Sequence, residues 1–351
     1  MAGNFELRTD VPRAVALTAW AAEQLGWSLR VLDPEFGYLF ELSDGRGWSR
    51  ACIGAKLPLN DTSASQLCAD KHYSGLVLAE LGVRTPATLR ALSPRHFGSH
   101  ASYANRVGLS PLEAELAQLD YPVVVKPNRL SHGRRIAVVQ DAAELRAACD
   151  AVFELDSVAL IQELVTGEEL RLDFLDGEYL IGYSRSALRV VGDGRSDLQQ
   201  LLTEVDPRCA ERAWTKRLLA DPDVHGRIGA RRPEEVLAAG TELRLSGEIL
   251  NLNRGGVGAP VAQLPDAWVR WSARIGERFG LRHFGLDLRV PGGLAADPVE
   301  ACVLEVNSTP LVTQMLNLGH GELARAAWLK VVAALAQPTP LAGPKRAHPR
   351  P

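Results

Sequence analysis

Residues 12–25, PRAVALTAWAAEQL, carry apolar side chains through a run of helix formers and predict a helix that stops at Gly26. Short strand-like pieces follow around SLRVLD and GYLFEL, the second ending in a Ser-Asp-Gly turn, so the chain opens as a small α/β segment. A second helix is predicted from about Ala64 to Leu81 with Gly82 closing it, and VRTPATLRAL leaves it as an extended, proline-marked stretch. Residues 94–111, rich in Ser, His, Gly and Pro, read as a loop or linker.

The middle of the chain changes character. YPVVVKP, RIAVVQ and VALIQELV are apolar runs of strand length, and the helix DAAELRAACDAVFEL stands between the last two. LRLDFL and YLIGYS flank Asp176-Gly177, a pair that predicts a tight β-hairpin. Near the end, HFGLDLRV and CVLEVNS are two further strands enclosing the glycine-rich 291–294. Before them, DAWVRWSARIGERFG places Trp268, Trp271, Ile275 and Phe279 at helical spacing, the pattern of a core face. The proline-rich tail from 337 to 351 lacks the apolar content to pack and is expected to be disordered.

Composition narrows the class of partner. In 351 residues, 39 basic and 42 acidic side chains nearly cancel, so no molecule-wide field draws in nucleic acid or an anionic membrane. The basic cluster at 208–232 is interleaved with Asp and Glu and reads as a solvated helical face. Five widely spaced cysteines without a CxxC pair suggest neither a disulfide framework nor a zinc site and fit a reducing cytoplasm. MAGNFELRTD lacks the basic start and apolar run of a signal peptide, and the most apolar stretch, residues 326–336, is too short for a membrane span.

The concentrated chemistry lies in VVVKPNRLSHGRRIAVV, residues 123–139, where a lysine, a histidine, a glycine and three arginines sit between two apolar strands. Such a loop can fold over a phosphate chain with its backbone N–H groups inward, or it can be a hairpin with an exposed basic turn. In LEVN, alternate residues share a face, so Glu305 and Asn307 point one way while Leu304 and Val306 point the other. Asp287 is bracketed by Leu286 and Leu288 in the same manner. Oxygen donors on neighbouring strands suit a hard cation bridged to phosphates, though a polar face looking into solvent has the same alternation.

Taken in order, Lys71 in ADKHY, Lys126, Glu163, Glu169 and Arg171 in QELVTGEELR, Asp287 in GLDL, and Glu305 and Asn307 in LEVNSTP resemble the ATP-grasp superfamily. VVGDGRSDLQQLL and NLNRGG narrow the resemblance to the ATP-grasp part of cyanophycin synthetase and bacterial glutathione synthetase, relatives of the ribosomal-protein-modifying glutamate ligases. The resemblance spans roughly residues 60–318. It implies an α+β ATP-grasp fold, two α+β lobes sandwiching ATP, preceded by a small α/β N-terminal domain. The expected boundaries are 1–60 for that domain and 61–336 for the ATP-grasp domain, with a lid and small lobe at about 112–167 and a large lobe at about 168–336.

What the resemblance implies for function is an ATP-dependent, ADP-forming carboxylate–amine ligase that joins amino acids or short peptides through an acyl phosphate. Lys71 and Lys126 match two lysines that hold the phosphates, Ser131, His132 and Gly133 match the lid, and Gln162, Glu163 and Val165 match the segment pairing with adenine. Glu169 matches the acid facing the ribose hydroxyls. Arg171 and Arg185 match arginines at the γ-phosphate and the carboxyl or acyl phosphate, Asn251 matches an asparagine that helps place phosphate or metal, and Arg254 belongs to a loop beside the acceptor carboxylate. Asp287, Glu305 and Asn307 match ligands of Mg²⁺ or Mn²⁺.

The sequence departs from the family pattern at three places: Arg135 stands where a lid glycine is common, Asn253-Arg254 where Ser-Thr is common, and Thr309-Pro310 where Pro-Gly is usual. These leave the ATP site in place and bear on the substrate. Small amino-acid or peptide substrates are the expected partners, without nucleic acid or membrane, and a homodimer fits the relatives. A ligase acting on a protein C-terminus and a non-catalytic ATP-binding module are the alternatives.

Overall fold

The structure is a computed structural model and describes residues 10–130, 135–250 and 256–336. It divides into two compact units, one of Met1–Asn60 with Arg325–Pro351 and one of Asp61–Ala324. In the first, helix α1 (Arg13–Gln24) precedes three antiparallel strands, β1 (Ser28–Val31), β2 (Leu39–Ser43) and β3 (Ser49–Ile53), in the order β1-β2-β3. Val15, Leu17 and Ala21 of α1 are fully buried, as are Phe40 and Leu42, the alternate apolar positions of β2. Residues 325–336, read from the sequence as the end of the large lobe, group with this unit. There Trp328 Nε1 donates to Thr18 Oγ1 at 3.0 Å.

The second unit opens with two helices where one was expected. α2 (Thr62–Ala69) and α3 (Lys71–Glu80) are separated at Asp70, which adopts an extended backbone (φ −105°, ψ 99°). Its carboxylate caps α3 by accepting from Tyr73 N at 3.0 Å. The competing bond between side chain and backbone wins over helix continuation and places Lys71 in the first turn. β4 (Thr88–Leu92) follows. The segment 94–111, read as a loop, contains short helical turns at Pro94–Phe97, Ala101–Arg106 and Ser110–Leu112. Pro94 at the first helical position pre-sets φ, and Phe97, His100 and Tyr103 pack their rings within 5.5–6.3 Å of one another.

β5 (Val123–Pro127), β6 (Ala137–Val139) and β7 (Val158–Glu163) complete a four-stranded antiparallel sheet of order β4-β7-β5-β6. The helix Ala142–Phe153 covers one face, burying Leu145, Cys149 and Val152 against Val123, Val125 and Ile161. Lys126 and Gln162 therefore face the other way. β8 (Glu168–Leu175) and β9 (Glu178–Ala187) form the expected hairpin, with Asp176 at φ 51° and Gly177 at φ 86°, the left-handed pair that two-residue hairpin turns require.

Between β9 and its sheet neighbour lies an insertion with its own core. β10 (Arg189–Val191) pairs with β11 (Glu242–Arg244), and the helices Leu198–Val205, Arg212–Leu219 and Pro222–Ile228 bury Leu202, Leu218 and Val224 beside them. The basic residues expected on a solvated face do meet acids there, with Arg212 against Glu234 and Arg231 against Glu235. Trp214 also lies between Arg208 and Arg217, whose guanidinium carbons are 4.8 and 4.5 Å from its ring.

β12 (Gly256–Pro260), β13 (His283–Val290) and β14 (Cys302–Asn307) join β8 and β9 in a five-stranded antiparallel sheet, β12-β9-β8-β13-β14. Its apolar face, with Leu170, Leu172, Phe174, Phe284, Leu286 and Leu288, packs on Trp268, Trp271, Ile275 and Phe279 of the helix Asp266–Phe279. The opposite face is left for polar side chains.

Candidate active site

Strand alternation writes three polar rows across that second face. The registers align Arg185, Glu169 and Arg289; then Tyr183, Arg171, Asp287 and Glu305; then Ile181, Asp173, Gly285 and Asn307. Arg171 is held at both ends, with Nε donating to Asp173 Oδ1 at 2.6 Å and Nη1 to Asp287 Oδ2 at 2.8 Å. Arg185 donates to Glu169 at 2.7 Å and to Asp287 Oδ1 at 2.9 Å. The two guanidiniums thus share one carboxylate and lie side by side.

Room for this arrangement depends on Gly285. A Cβ there would come within 2.3 Å of Asp173 Oδ1 and 2.7 Å of Arg171 Nε. Asp173 is 2% exposed, and burial pushes its carboxyl up against the pull of Arg171. Burial also acts to raise Asp287, but Arg171, Arg185 and the Asn307 amide outweigh it and hold that carboxyl below its usual range.

Two lysines approach from other elements. Lys126, on β5, is 8% exposed, and burial lowers its ammonium to about 8, with Glu305 pulling it up and Lys71 pushing it down. Lys71 Nζ donates to Leu130 O at 2.8 Å and lies 3.4 Å from Glu305 Oε1. The same helix start grips the root of the basic loop, since His72 N donates to Asn128 Oδ1 at 3.0 Å and Arg129 pairs with Asp70 at 3.3 Å. A cavity of about 260 Å³ adjoins these residues, lined in part by Lys71, Ser74, Ala87, Gln162, Leu304 and Glu305.

The structure therefore brings together Lys71, Lys126 and Glu305, and joins Asp287, Asn307, Arg171, Arg185 and Glu169 in one network. Gln162 Nε2 donates to Thr88 Oγ1 at 2.8 Å, Glu163 accepts from Ala87 N at 3.2 Å, and Val165 is buried just beyond β7. Ser131, His132, Gly133, Asn251 and Arg254 lie outside the described residues. Arg289 and Asp173 were missed by sequence reasoning, although the same period of two that marks Glu305 and Asn307 runs through Glu169, Arg171, Asp173 and through Gly285, Asp287, Arg289.

Asp287 and Glu305 are cross-strand partners, and Asn307 Nδ2 donates to Asp287 Oδ2 at 2.9 Å. Among the described residues no three acidic, histidine or cysteine side chains gather as a metal cage. An oxygen set that leaves Glu305 open on one side still fits Mg²⁺, which is bound through one or two carboxylates together with substrate phosphates. The nearby Cys68 thiol is pushed up to about 12, first by burial and then by Glu305, so it is no nucleophile at neutral pH.

Known proteins resemble the chain over part of its length. The family described as D-ala D-ala ligase C-terminus matches residues 102–191. The glutathione biosynthesis bifunctional protein GshAB of Streptococcus agalactiae serotype V is 28% identical over 207 residues, 55% of this chain and 27% of that protein. A D-alanine–D-alanine ligase of Bacillus anthracis is 29% identical over 117 residues, 33% of this chain and 34% of that enzyme. The chain thus matches only about a quarter to a third of the length of these relatives.

Among solved structures, a bifunctional glutathione synthetase from Pasteurella multocida superimposes with a TM-score of 0.56 at 16% identity, covering 92% of this chain and 44% of that one, a likeness of fold. No helix among the described residues is long and apolar enough to cross a membrane. With its mixed α+β sheets and its matches to glutathione synthetase and D-alanine–D-alanine ligase sequences, the chain is a distant homologue of ATP-grasp ligases.

Proposed function

We propose that the protein is an ATP-dependent carboxylate–amine ligase that forms an amide between amino acids or short peptides and releases ADP and phosphate. The observation that carries this reading is the convergence of Lys71 and Lys126, from a helix start and a separate strand, on Glu305 beside the paired guanidiniums of Arg171 and Arg185. A triphosphate calls for several cations from different sides, and phosphoryl transfer needs positioning and charge more than a protein nucleophile.

In this reading Gln162, Glu163 and Val165 border the adenine and Glu169 faces the ribose. Both Glu169 oxygens already accept from arginines, yet a carboxylate has about four acceptor sites, which leaves capacity for a diol. Lys71 and Lys126 hold the phosphates, and Ser131, His132 and Gly133 take the lid role that the sequence resemblance implies. A substrate carboxylate oxygen attacks the γ-phosphorus, the bond to the bridging oxygen breaks, and ADP leaves. The amine then attacks the acyl carbon, the C–O bond breaks, phosphate departs and the surplus amine proton passes to solvent.

Arg171 and Arg185 balance the charge on the transferred group, Asn251 helps to place phosphate or metal, and Arg254 serves the acceptor side. Mg²⁺, held by Glu305 and Asn307 with Asp287 adjacent, supplies charge neutralisation to the phosphates when bound. Exclusion of water by the loop protects the acyl phosphate from hydrolysis.

The test is product formation from Mg-ATP with pools of amino acids and dipeptides, resolved into ADP, AMP and new amides by mass. ADP that appears only with a particular pool supports the ligase. AMP in place of ADP excludes the acyl-phosphate route. Glu305→Gln, whose side chain is a quarter exposed, is expected to lower turnover by orders of magnitude while the far-ultraviolet spectrum stays unchanged. Wild-type rates in that variant would remove Glu305 from the site.

A further inference from the structure

Arg289 stands at the end of β13 and makes three polar contacts with three separate stretches of chain. Nη2 is 2.7 Å from Glu169 Oε2, and the same nitrogen donates to Glu248 O at 2.6 Å. Nη1 donates to Gly167 O at 3.0 Å. The side chain is 11% exposed, so these contacts are largely withdrawn from water. A planar guanidinium spreads its donors over separate nitrogens in a fixed fork and so reaches a carboxylate and two carbonyls on different stretches of chain, whereas an ammonium concentrates its three donors on one nitrogen and lacks that span.

Each partner makes further contacts of its own. Gly167 has φ 130° and lies so close to β13 that a Cβ would meet Val290 C at 2.7 Å and Pro291 N at 2.8 Å. Its carbonyl is therefore delivered to Arg289 by backbone contact. Glu248 closes a turn with Arg244, whose Nη2 donates to the Glu248 carboxylate at 3.0 Å and to Gly247 O at 3.3 Å. The Arg227 guanidinium covers Gly247, leaving no space for a Cβ. This turn ends the inserted subdomain, whose core includes Leu245.

We propose that Arg289 is a positioning residue that couples the nucleotide side of the site to the end of the inserted subdomain, by tying Glu169 and the entry to β8 to the backbone of the 244–248 turn. The inference rests on the ligase reading, in which Glu169 faces the ribose. Nucleotide that orders Glu169 then orders the 245–250 segment through one side chain, with no contact of its own to that segment. Arg289 touches neither substrate nor reacting atoms in this account and acts only through its partners.

Backbone amide exchange at 245–250, measured with and without Mg-ATP on the full chain, tests this alongside the dissociation constant for Mg-ATP. In the wild type, Mg-ATP is expected to slow exchange there at least tenfold. Arg289→Lys keeps a cation beside Glu169 but cannot span both carbonyls. Its affinity for Mg-ATP is expected to stay within about threefold of wild type while the nucleotide-dependent protection disappears. Arg289→Met is expected to lose the protection and to bind Mg-ATP roughly tenfold more weakly, because Glu169 is left with one arginine.

A wild-type protein that binds Mg-ATP without protecting 245–250, or an Arg289→Lys variant that retains the protection, overturns the coupling and leaves the ligase reading intact. A wild-type protein that binds no nucleotide overturns both. A melting curve for each variant separates loss of protection from loss of fold.

Discussion

At Lys126 desolvation outweighs the neighbouring carboxylates, whereas at Arg171 and Arg185 the carboxylates win. The Lys126 ammonium is lowered from 10.5 to about 8 by desolvation, against the pull of Glu305 and with the push of Lys71. Between about 8 and 10.5 the unfolded chain therefore binds more protons than the folded one, and stability from this residue rises with pH across that window. Below pH 8 the fold carries the full cost of a buried ammonium. Phosphate oxygens favour the charged form, so Mg-ATP binding is expected to take up a proton near pH 8 and to weaken as the pH is raised above it. Calorimetric titration in buffers of different ionisation enthalpy measures that proton. Lys126→Met should abolish the uptake, and an unchanged uptake in that variant would assign the proton elsewhere.

Arg135 adopts φ 56° and is exposed. For a residue with a Cβ the left-handed region costs on the order of 1 kcal/mol. Arg135→Gly is expected to raise stability by up to about that amount, read as a higher urea midpoint with an unchanged slope. A lower midpoint would show that the arginine side chain makes contacts that outweigh the backbone cost.

Among elements, the break between α2 and α3 has the most direct bearing on the site. Asp70, 5% exposed, caps α3 through one oxygen and meets Arg129, at the root of the basic loop, through the other. Asp70→Ala is expected to cost about 1–2 kcal/mol from the lost cap alone. Asp70→Asn, which keeps an acceptor, should cost less, and equal losses in urea melts of the two variants would exclude the cap as the cause. This break was not legible in the sequence, because aspartate inside an apolar-patterned run is tolerated in helices and its second partner lies 59 positions away.

The hairpin at Asp176-Gly177 was legible, because both residue types accept the left-handed backbone that the turn demands. The strand period exposed Asp287, Glu305 and Asn307 as one face. It carried the same information about Asp173 and Arg289, but a charged residue between apolar neighbours reads as solvated until the register sets Glu169 opposite Arg289 and the side chain of Arg171 is seen to meet Asp173. Gly285 was beyond reach for a related reason, since its lack of a side chain matters only once Arg171 lies over it.

At the scale of the whole molecule, a net charge of −3 offers ATP no attraction, so capture of a polyanion falls to the local cations of one unit. Every described residue proposed to touch nucleotide, from Lys71 to Asn307, lies within Asp61–Ala324. The other unit is closed by a distant segment of the chain, Trp328, 1% exposed and bonded to the fully buried Thr18. Truncating a buried tryptophan removes its transfer free energy and leaves a cavity, for about 3–5 kcal/mol.

Trp328→Ala is accordingly expected to lower the melting temperature by several degrees or more. Its dissociation constant for Mg-ATP, measured well below the transition, should stay within about threefold of wild type. Calorimetric scans with and without Mg-ATP extend the argument: nucleotide stabilises only the state that binds it, so the transition it shifts reports the unit holding Lys71 and Lys126. Affinity that collapses together with stability would mean that the nucleotide site depends on the Trp328 core, and the division of labour between the two units would fail.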